Sequence, residues 1–405
     1  MKIEEISPGI FWIGAMDSQL RVFDIIMMAE HGTTYNSYLV KGARKVALID
    51  TVKHRFRGVL LSKLAEALGT RTLDYIVLNH LEPDHSGSVA QVLESHPKAQ
   101  IYISRPGAKF LQELLNRDTK PHIIAEGERL NLGGKTLRFF EAPFLHWPDT
   151  IFTFVEENKV LFPCDVFGCH FCDERLYDDE VDAFDHTFRY YFDIIIRPFK
   201  EYMKKAIGKL EGLDIKTIAP SHGPILRTRP WDYIEKYREW CALPSPSDTK
   251  LILVMYLSIY GNTQKMAFEI ASGAKTEKSR VAVFDIQGTN LAGILDQVEA
   301  ADAIVLGSPT VNFDAVKPAW DFLSSLATLK LKGKVGATFG SYGWSGEAPQ
   351  MIYDRLKSLK LRMVGEPLRA VLAPTEGDLE KCRALGKAVA DAVLGKESRE
   401  LRVKS

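Results

Sequence analysis

Asn79-His80-Leu81-Glu82-Pro83-Asp84-His85-Ser86-Gly87 places four potential metal ligands within six positions, 80 to 85. The apolar run Asp74-Tyr75-Ile76-Val77-Leu78 precedes it, and a helix is predicted to begin near Ser86. Strand-to-helix turns are where α/β proteins place chemistry. Three more candidates each follow an apolar run of strand length: His146 in Leu145-His146-Trp147, Asp165 in Cys164-Asp165-Val166, and His222 in Ser221-His222-Gly223. Four such loops at one end of a sheet can converge on a point. Seven ligands exceed what one tetrahedral zinc takes but suit two metals. In such sites the metals lie ~3.5–4 Å apart and share a carboxylate, for which Asp165 is the natural candidate. Imidazoles and carboxylates without thiolate form an N/O set that suits iron, zinc or manganese. Any one of these histidines alone would read as an ordinary core or surface residue. His31 and His170 are possible pocket residues, whereas His54, His96, His122 and His186 read as ordinary ones.

Working outward, the segment before residue 243 is rich in short β-like runs. Thr34–Val40 and Lys45–Asp50 flank the turn Lys41-Gly42-Ala43, and a helix is predicted over Phe56–Leu68. Further strands are predicted at Ala99–Ile103, Thr136–Phe140, Ile151–Val155, Lys159–Phe162 and Ile215–Ala219. Many strands with interleaved helices suggest a layered α/β sandwich. Leu243-Pro244-Ser245-Pro246-Ser247-Asp248-Thr249 has no apolar period and reads as a linker, which sets domain bounds at 1–246 and 250–397. Beyond it the pattern alternates. Strands Leu251–Leu257, Val281–Asp285, Ala303–Gly307, Lys334–Phe339 and Arg369–Ala373 precede helices Thr263–Ala274, Ile294–Ala300, Val316–Leu326, Met351–Leu359 and Leu379–Leu394. Five βα units predict a doubly wound parallel five-stranded sheet. The charged tail after Lys396 is expected to fray.

Lys plus Arg and Asp plus Glu both number 52, which argues against a nucleic-acid partner. No apolar run is long enough to span a membrane, and the N-terminus has no signal-peptide core. Five cysteines suit a reducing compartment, so a cytoplasmic protein is expected.

The first strand of the second domain runs into Ser258-Ile259-Tyr260-Gly261-Asn262-Thr263, which resembles the phosphate loop of flavodoxins. Backbone N–H groups and hydroxyls at a helix N-terminus cradle a phosphate. The loop lacks the P-loop lysine and the GxGxxG of dinucleotide binders. By resemblance it suits FMN. Two later loops fit the same reading: Pro309-Thr310-Val311-Asn312, and Ser341-Tyr342-Gly343-Trp344-Ser345-Gly346, with Tyr342 and Trp344 as candidates beside the flavin ring.

HxHxDH followed by H, D and H resembles the metallo-β-lactamase superfamily, whose αββα sandwich is then expected of the first domain. Here the second histidine is Glu82. That exchange, with a flavodoxin-like domain following, is similar to the flavodiiron proteins (A-type flavoproteins) over essentially the whole chain. The resemblance implies His80, Glu82 and His146 on one iron, Asp84, His85 and His222 on the other, and Asp165 as the bridge. An anionic oxygen ligand favours Fe(III) more than imidazole does, which suits redox work better than zinc hydrolysis. The resemblance further implies reduction of dioxygen to water, of nitric oxide to nitrous oxide, or of both, with FMN as relay. The electron donor would be a separate molecule, rubredoxin or reduced deazaflavin. A head-to-tail homodimer or a homotetramer would bring each flavin to a partner's irons. Pro163-Cys164 departs from the small polar residues common there, and Cys169-His170-Phe171-Cys172 follows. With no second CxxC, these thiols read as pocket-supporting residues, neither a zinc site nor a redox pair. Two rival readings are a dinuclear zinc hydrolase and a non-catalytic flavin carrier.

Overall fold

Tyr38 and Val40 point to one side of their strand and Leu39 to the other, and all three are buried. Burial on both faces requires layers above and below the sheet. The computed structural model shows how the layers are arranged. It describes residues 2–25, 27–242, 248–287 and 291–395. The chain forms two compact units, residues 1–242 and 243–405. Residues 243–247 of the predicted linker, Leu243–Thr249, and the tail from 396 lie outside the described residues.

In the first unit a seven-stranded sheet runs in the order Glu4–Ser7, Ile10–Trp12, Tyr38–Lys41, Val46–Ile49, Tyr75–Val77, Gln100–Ile103, His122–Ile123. A five-stranded sheet runs Arg129–Asn131, Thr136–Glu141, Ile151–Val155, Val160–Phe162, Thr217–Ile218. One core lies between them: Tyr38, Val40, Leu137, Phe139, Ile151 and Val155 belong to it. The alternate residues Leu39, Phe140, Phe152 and Phe154 join Leu60 and Leu64 of helix Arg57–Leu68 in an outer core. This period-two division produces the αββα sandwich.

In the second unit the parallel sheet runs Ser279–Asp285, Lys250–Tyr256, Ala303–Gly307, Val335–Tyr342, with helices between successive strands. It is the doubly wound flavodoxin-like sheet expected. The fifth position is filled in two pieces, Arg362–Met363 and Leu368–Val371, both paired with Val335–Tyr342. Gly365 (φ +68) and Pro367, which has no N–H to donate, interrupt it. Four of the five helices begin earlier than the apolar period suggests, at Asn262, Leu291, Ala348 and Glu376, whereas Lys317–Ser325 begins one residue later than expected. Pro349 occupies a first-turn position, and Thr375 forms a capping box with Asp378 ahead of helix Glu376–Val393. Capping polar residues lie outside the apolar stripe, so periodicity alone misses them.

Candidate metal centre and flavin loops

The turn at residues 79–86 is clamped between the two sheets of the first unit. Asp50 ends strand Val46–Ile49 in the left-handed region, with φ 54. Its carboxylate accepts from the Asn79 backbone N–H at 2.7 Å and from Asn79 Nδ2 at 3.0 Å. Asn79 Oδ1 in turn accepts from Thr153 Oγ1 of the second sheet at 2.7 Å. Burial pushes the Asp50 carboxyl up to about 6, against the pull of His85 and the Asn79 hydrogen bonds. A short helix, Pro83–Ser86, starts three residues before the Ser86 expected, because Pro83 takes the first position. Asp84 and His85 therefore project from a helical turn. The Ser86 hydroxyl donates to the carbonyls of Leu81 and Glu82 at 2.8 and 2.9 Å and fixes the turn's entry.

All seven metal-ligand candidates meet. Glu82 Oε2 lies 2.9 Å from His146 Nε2 and 3.3 Å from His80 Nε2. Asp84 Oδ2 lies 3.0 Å from His222 Nε2 and 3.4 Å from His85 Nε2. Asp165 stands between the two groups and gives each a different oxygen. Its Oδ2 is 3.7 Å from His80 Nε2 and 3.8 Å from His146 Nε2, while its Oδ1 is 3.0 Å from His85 Nε2 and 3.6 Å from His222 Nε2. The ligand atoms of His80, Glu82, His146 and Asp165 lie within 4.8 Å of one another, and so do those of Asp84, His85 and His222.

The chemistry of this set fits two cations. Among the described residues, neither buried oxygen of Asp84 has a hydrogen-bond partner; His222 approaches in distance but not in bonding geometry. A buried carboxylate left so is costly unless it meets a positive charge. The field favours cations as well. Burial alone would lower His85, yet Asp84 and Asp165 push it up to about 10. Burial would raise Asp165, yet His85, His80 and His146 hold its carboxyl well below the usual range.

Several residues that support the site carry no signal in the sequence. Asp149, fully buried, accepts from His80 Nδ1 at 3.2 and 3.3 Å and from the Leu81 N–H at 2.7 Å. The His222 Nδ1–H donates to the Thr34 carbonyl at 2.6 Å. The Tyr191 hydroxyl donates to Asp165 Oδ1 at 2.9 Å. Tyr191 ends helix Asp185–Tyr191, and a π-helical turn, Phe192–Ile196, follows it. Asp24 is hydrogen-bonded to Glu82 and also faces Asp84; burial and these carboxylates push it up to about 6. His170 is buried, with Nδ1 3.0 Å from Thr33 Oγ1 and its ring 4.9 Å from that of His222. His31 is exposed and packs on Phe171, with ring centroids 5.1 Å apart. Cys164 and Cys169 are buried, Cys172 is partly buried, and all are free thiols. Cys164 Sγ sits 3.4 Å from Ser221 Oγ and 3.9 Å from Asp165 Oδ2.

In the second unit the three predicted loops are joined to one another. Gly261 takes φ +82 and helix Asn262–Ala274 begins at once. Thr263 Oγ1 is 2.8 Å from Ser341 Oγ, linking the first loop to the third. Thr310 Oγ1 accepts from the Ala348 N–H at 3.2 Å, linking the second to the helix after the third. The second loop is a hairpin, Thr310–Val311 paired with Asp314–Ala315. Asn312 and Phe313 are left-handed at its tip, as a primed turn requires. Ile259, Tyr260, Phe313 and Trp344 are exposed, with the Phe313 and Trp344 rings 6.5 Å apart. Phe313 thus joins Trp344 as a ring candidate; Tyr342 is half-buried, close to Gly346. Pro309, Val311, Gly343 and Ser345 complete these loops.

Residues 33–223 match the model of the ODP family beta lactamase, and residues 254–386 match that of flavodoxin. Type A flavoprotein fprA of Rhodobacter capsulatus is 43% identical over 398 residues, covering 96% of this chain and 92% of its own. A nitric oxide reductase of Moorella thermoacetica is 35% identical, covering 95% of this chain and 97% of its own. The chain belongs to the type A flavoprotein, or flavodiiron, family. The solved rubredoxin oxygen:oxidoreductase of Desulfovibrio gigas superposes with a TM-score of 0.76 at 30% identity, covering 98% of this chain and 99% of that one. As a flavodiiron protein the chain is an oxidoreductase whose cofactors are FMN and a two-iron centre. No helix among the described residues is long and apolar enough to cross a membrane.

Proposed function

We propose that this chain reduces dioxygen to water, nitric oxide to nitrous oxide, or both. One observation carries the reading: Asp165 offers one carboxylate oxygen to each of two ligand groups, His80–Glu82–His146 and Asp84–His85–His222. When bound, two irons and FMN together supply up to four electrons, the number that takes dioxygen to two waters; two suffice to couple two nitric oxides. The protein's own part is to hold and to exclude. Asp165 fixes the spacing of the two positions, and Tyr191 Oη holds Asp165 in place. Phe23, 4.1 Å from His170 and 5.3 Å from His222 between ring centroids, and Trp147, 5.1 Å from His80, line the centre with apolar surface. Small uncharged gases need little more than such a pocket. Gly261, the N-terminus of helix Asn262–Ala274 and the hydroxyls of Ser258, Thr263 and Ser341 would hold the FMN phosphate. The loops bearing Thr310–Phe313 and Tyr342–Gly346 would hold the ring.

The donor is external and of the rubredoxin type, with reduced deazaflavin as the alternative. The assembly is a head-to-tail dimer or a tetramer, and the location is cytoplasmic. Anaerobic preparation, metal and flavin analysis, and steady-state consumption of each gas with each donor test the proposal. About two irons and one FMN per chain are expected. Glu82→Ala should abolish gas consumption and leave the flavin spectrum intact. Zinc in place of iron, with hydrolytic turnover and no gas consumption, would overturn it.

A further inference from the structure

The ligands at the two metal positions are balanced in kind. Each position has two imidazoles, one carboxylate of its own (Glu82 or Asp84) and one oxygen of Asp165. The balance breaks behind the imidazoles. His80 is backed by an anion: Asp149 receives its Nδ1–H at 3.2 Å while also accepting the Leu81 N–H at 2.7 Å. The Ser104 hydroxyl, which also caps helix Arg105–Leu115, holds the Asp149 backbone carbonyl at 2.7 Å. At the other position, His222 is backed by the neutral Thr34 carbonyl at 2.6 Å. His85 Nδ1 is buried without a hydrogen-bond partner among the described residues. Asp24 is hydrogen-bonded to Glu82 and also faces Asp84, so it acts on both positions and more strongly on the His80 side; it is unchanged in the Asp149 variants below.

An anion behind a ligating imidazole fixes its tautomer and strengthens it as a donor. A stronger donor stabilises Fe(III) relative to Fe(II). Resting on the two-iron reading above, we infer that Asp149 is a positioning residue that makes the two irons unequal, lowering the reduction potential on the His80 side relative to the His222 side. The first electron into the oxidised centre then goes to the His222 side and the second to the His80 side. The half-reduced centre is ferric beside His80. Asp149 therefore widens the gap between the two one-electron steps and protects the half-reduced form from disproportionation.

The test is a redox titration of the iron-loaded holoprotein followed by electron paramagnetic resonance, with iron content measured in parallel. Wild-type protein should carry two irons and show a half-reduced signal; a chain without iron sinks the two-iron reading itself, not this inference. Asp149→Asn removes the charge. It should lower the comproportionation constant by about tenfold, a ~59 mV narrowing for one-electron steps. Asp149→Glu keeps the charge and should restore most of the gap. Loss of one iron of the two in Asp149→Asn would mark a purely structural role and overturn the inference. An unchanged gap in Asp149→Asn, an equal narrowing in Asp149→Glu, or release of both irons would overturn the inference.

Discussion

The two units build their sites from opposite materials. The first converges buried side chains, and every ligand but Glu82 and His146 is almost wholly out of solvent. The second offers backbone, hydroxyls and exposed rings at strand ends, with Tyr260 87% and Trp344 72% accessible. A side-chain site is unforgiving of residue type and tolerant of backbone detail, provided the sheets hold it. A backbone site is the reverse. The contrast teaches where each unit is fragile: the metal unit at its charges, the flavin unit at its dihedral angles.

The largest expected effect tests the first half of that contrast. Asp165→Ala removes an oxygen from each metal position at once. It should cut gas reduction by roughly a hundredfold or more and lower iron content, with FMN still bound. Iron and activity both retained would break the comparison.

The next effect concerns Asp50, whose folded pKa, about 6, is raised above the ordinary 3.8 by burial. The folded state holds its proton to higher pH than the unfolded chain does. Its contribution is therefore fully present below about pH 4 and is lost as pH rises through about 6, a loss on the order of 2–3 kcal/mol. Denaturant unfolding of metal-free protein should show wild-type stability falling over this window relative to Asp50→Ala. Parallel curves would show that charge is not the weak point there.

The smallest effect tests the flavin unit. A Cβ at Gly261 meets only Gln264 Oε1, at 4.0 Å, so Gly261→Ala has room and suffers only the left-handed backbone. That costs about 1–2 kcal/mol, or about tenfold in FMN affinity if the loop must keep its shape. Gly261→Asn, which tolerates this conformation better, should lose less. Equal affinities by flavin fluorescence titration would mean that the loop binds through side chains after all.

What could be read in the sequence follows the same division. His80, Glu82, Asp84, His85, His146, Asp165 and His222 stand out because metals demand particular side chains at strand ends. The β-rich run Thr34–Val40 is legible as strand, while the division of Tyr38 and Val40 from Leu39 between two cores is seen only in the structure. Asp149 and Tyr191 stay hidden because their role depends on what the fold places beside them. Thr34 is hidden more deeply, since it acts through a carbonyl that every residue possesses. The hairpin tip at Asn312–Phe313 and the broken fifth strand at Gly365–Pro367 depend on local backbone choices that an apolar period does not record.

The π-helical turn over Phe192–Ile196 has a consequence for chain length. One surplus residue in a helix rotates everything beyond it by about 100°. Here Tyr191 lies on one side of that surplus. On the other lies Arg197, whose Nε meets Asp193 Oδ1 at 3.0 Å. Excising one position from the bulge would regularise the spiral but swing the phenol away from the carboxylate it steadies, or else tear the guanidinium from its seat. A deletion here would therefore disturb two anchored side chains through one change in chain length.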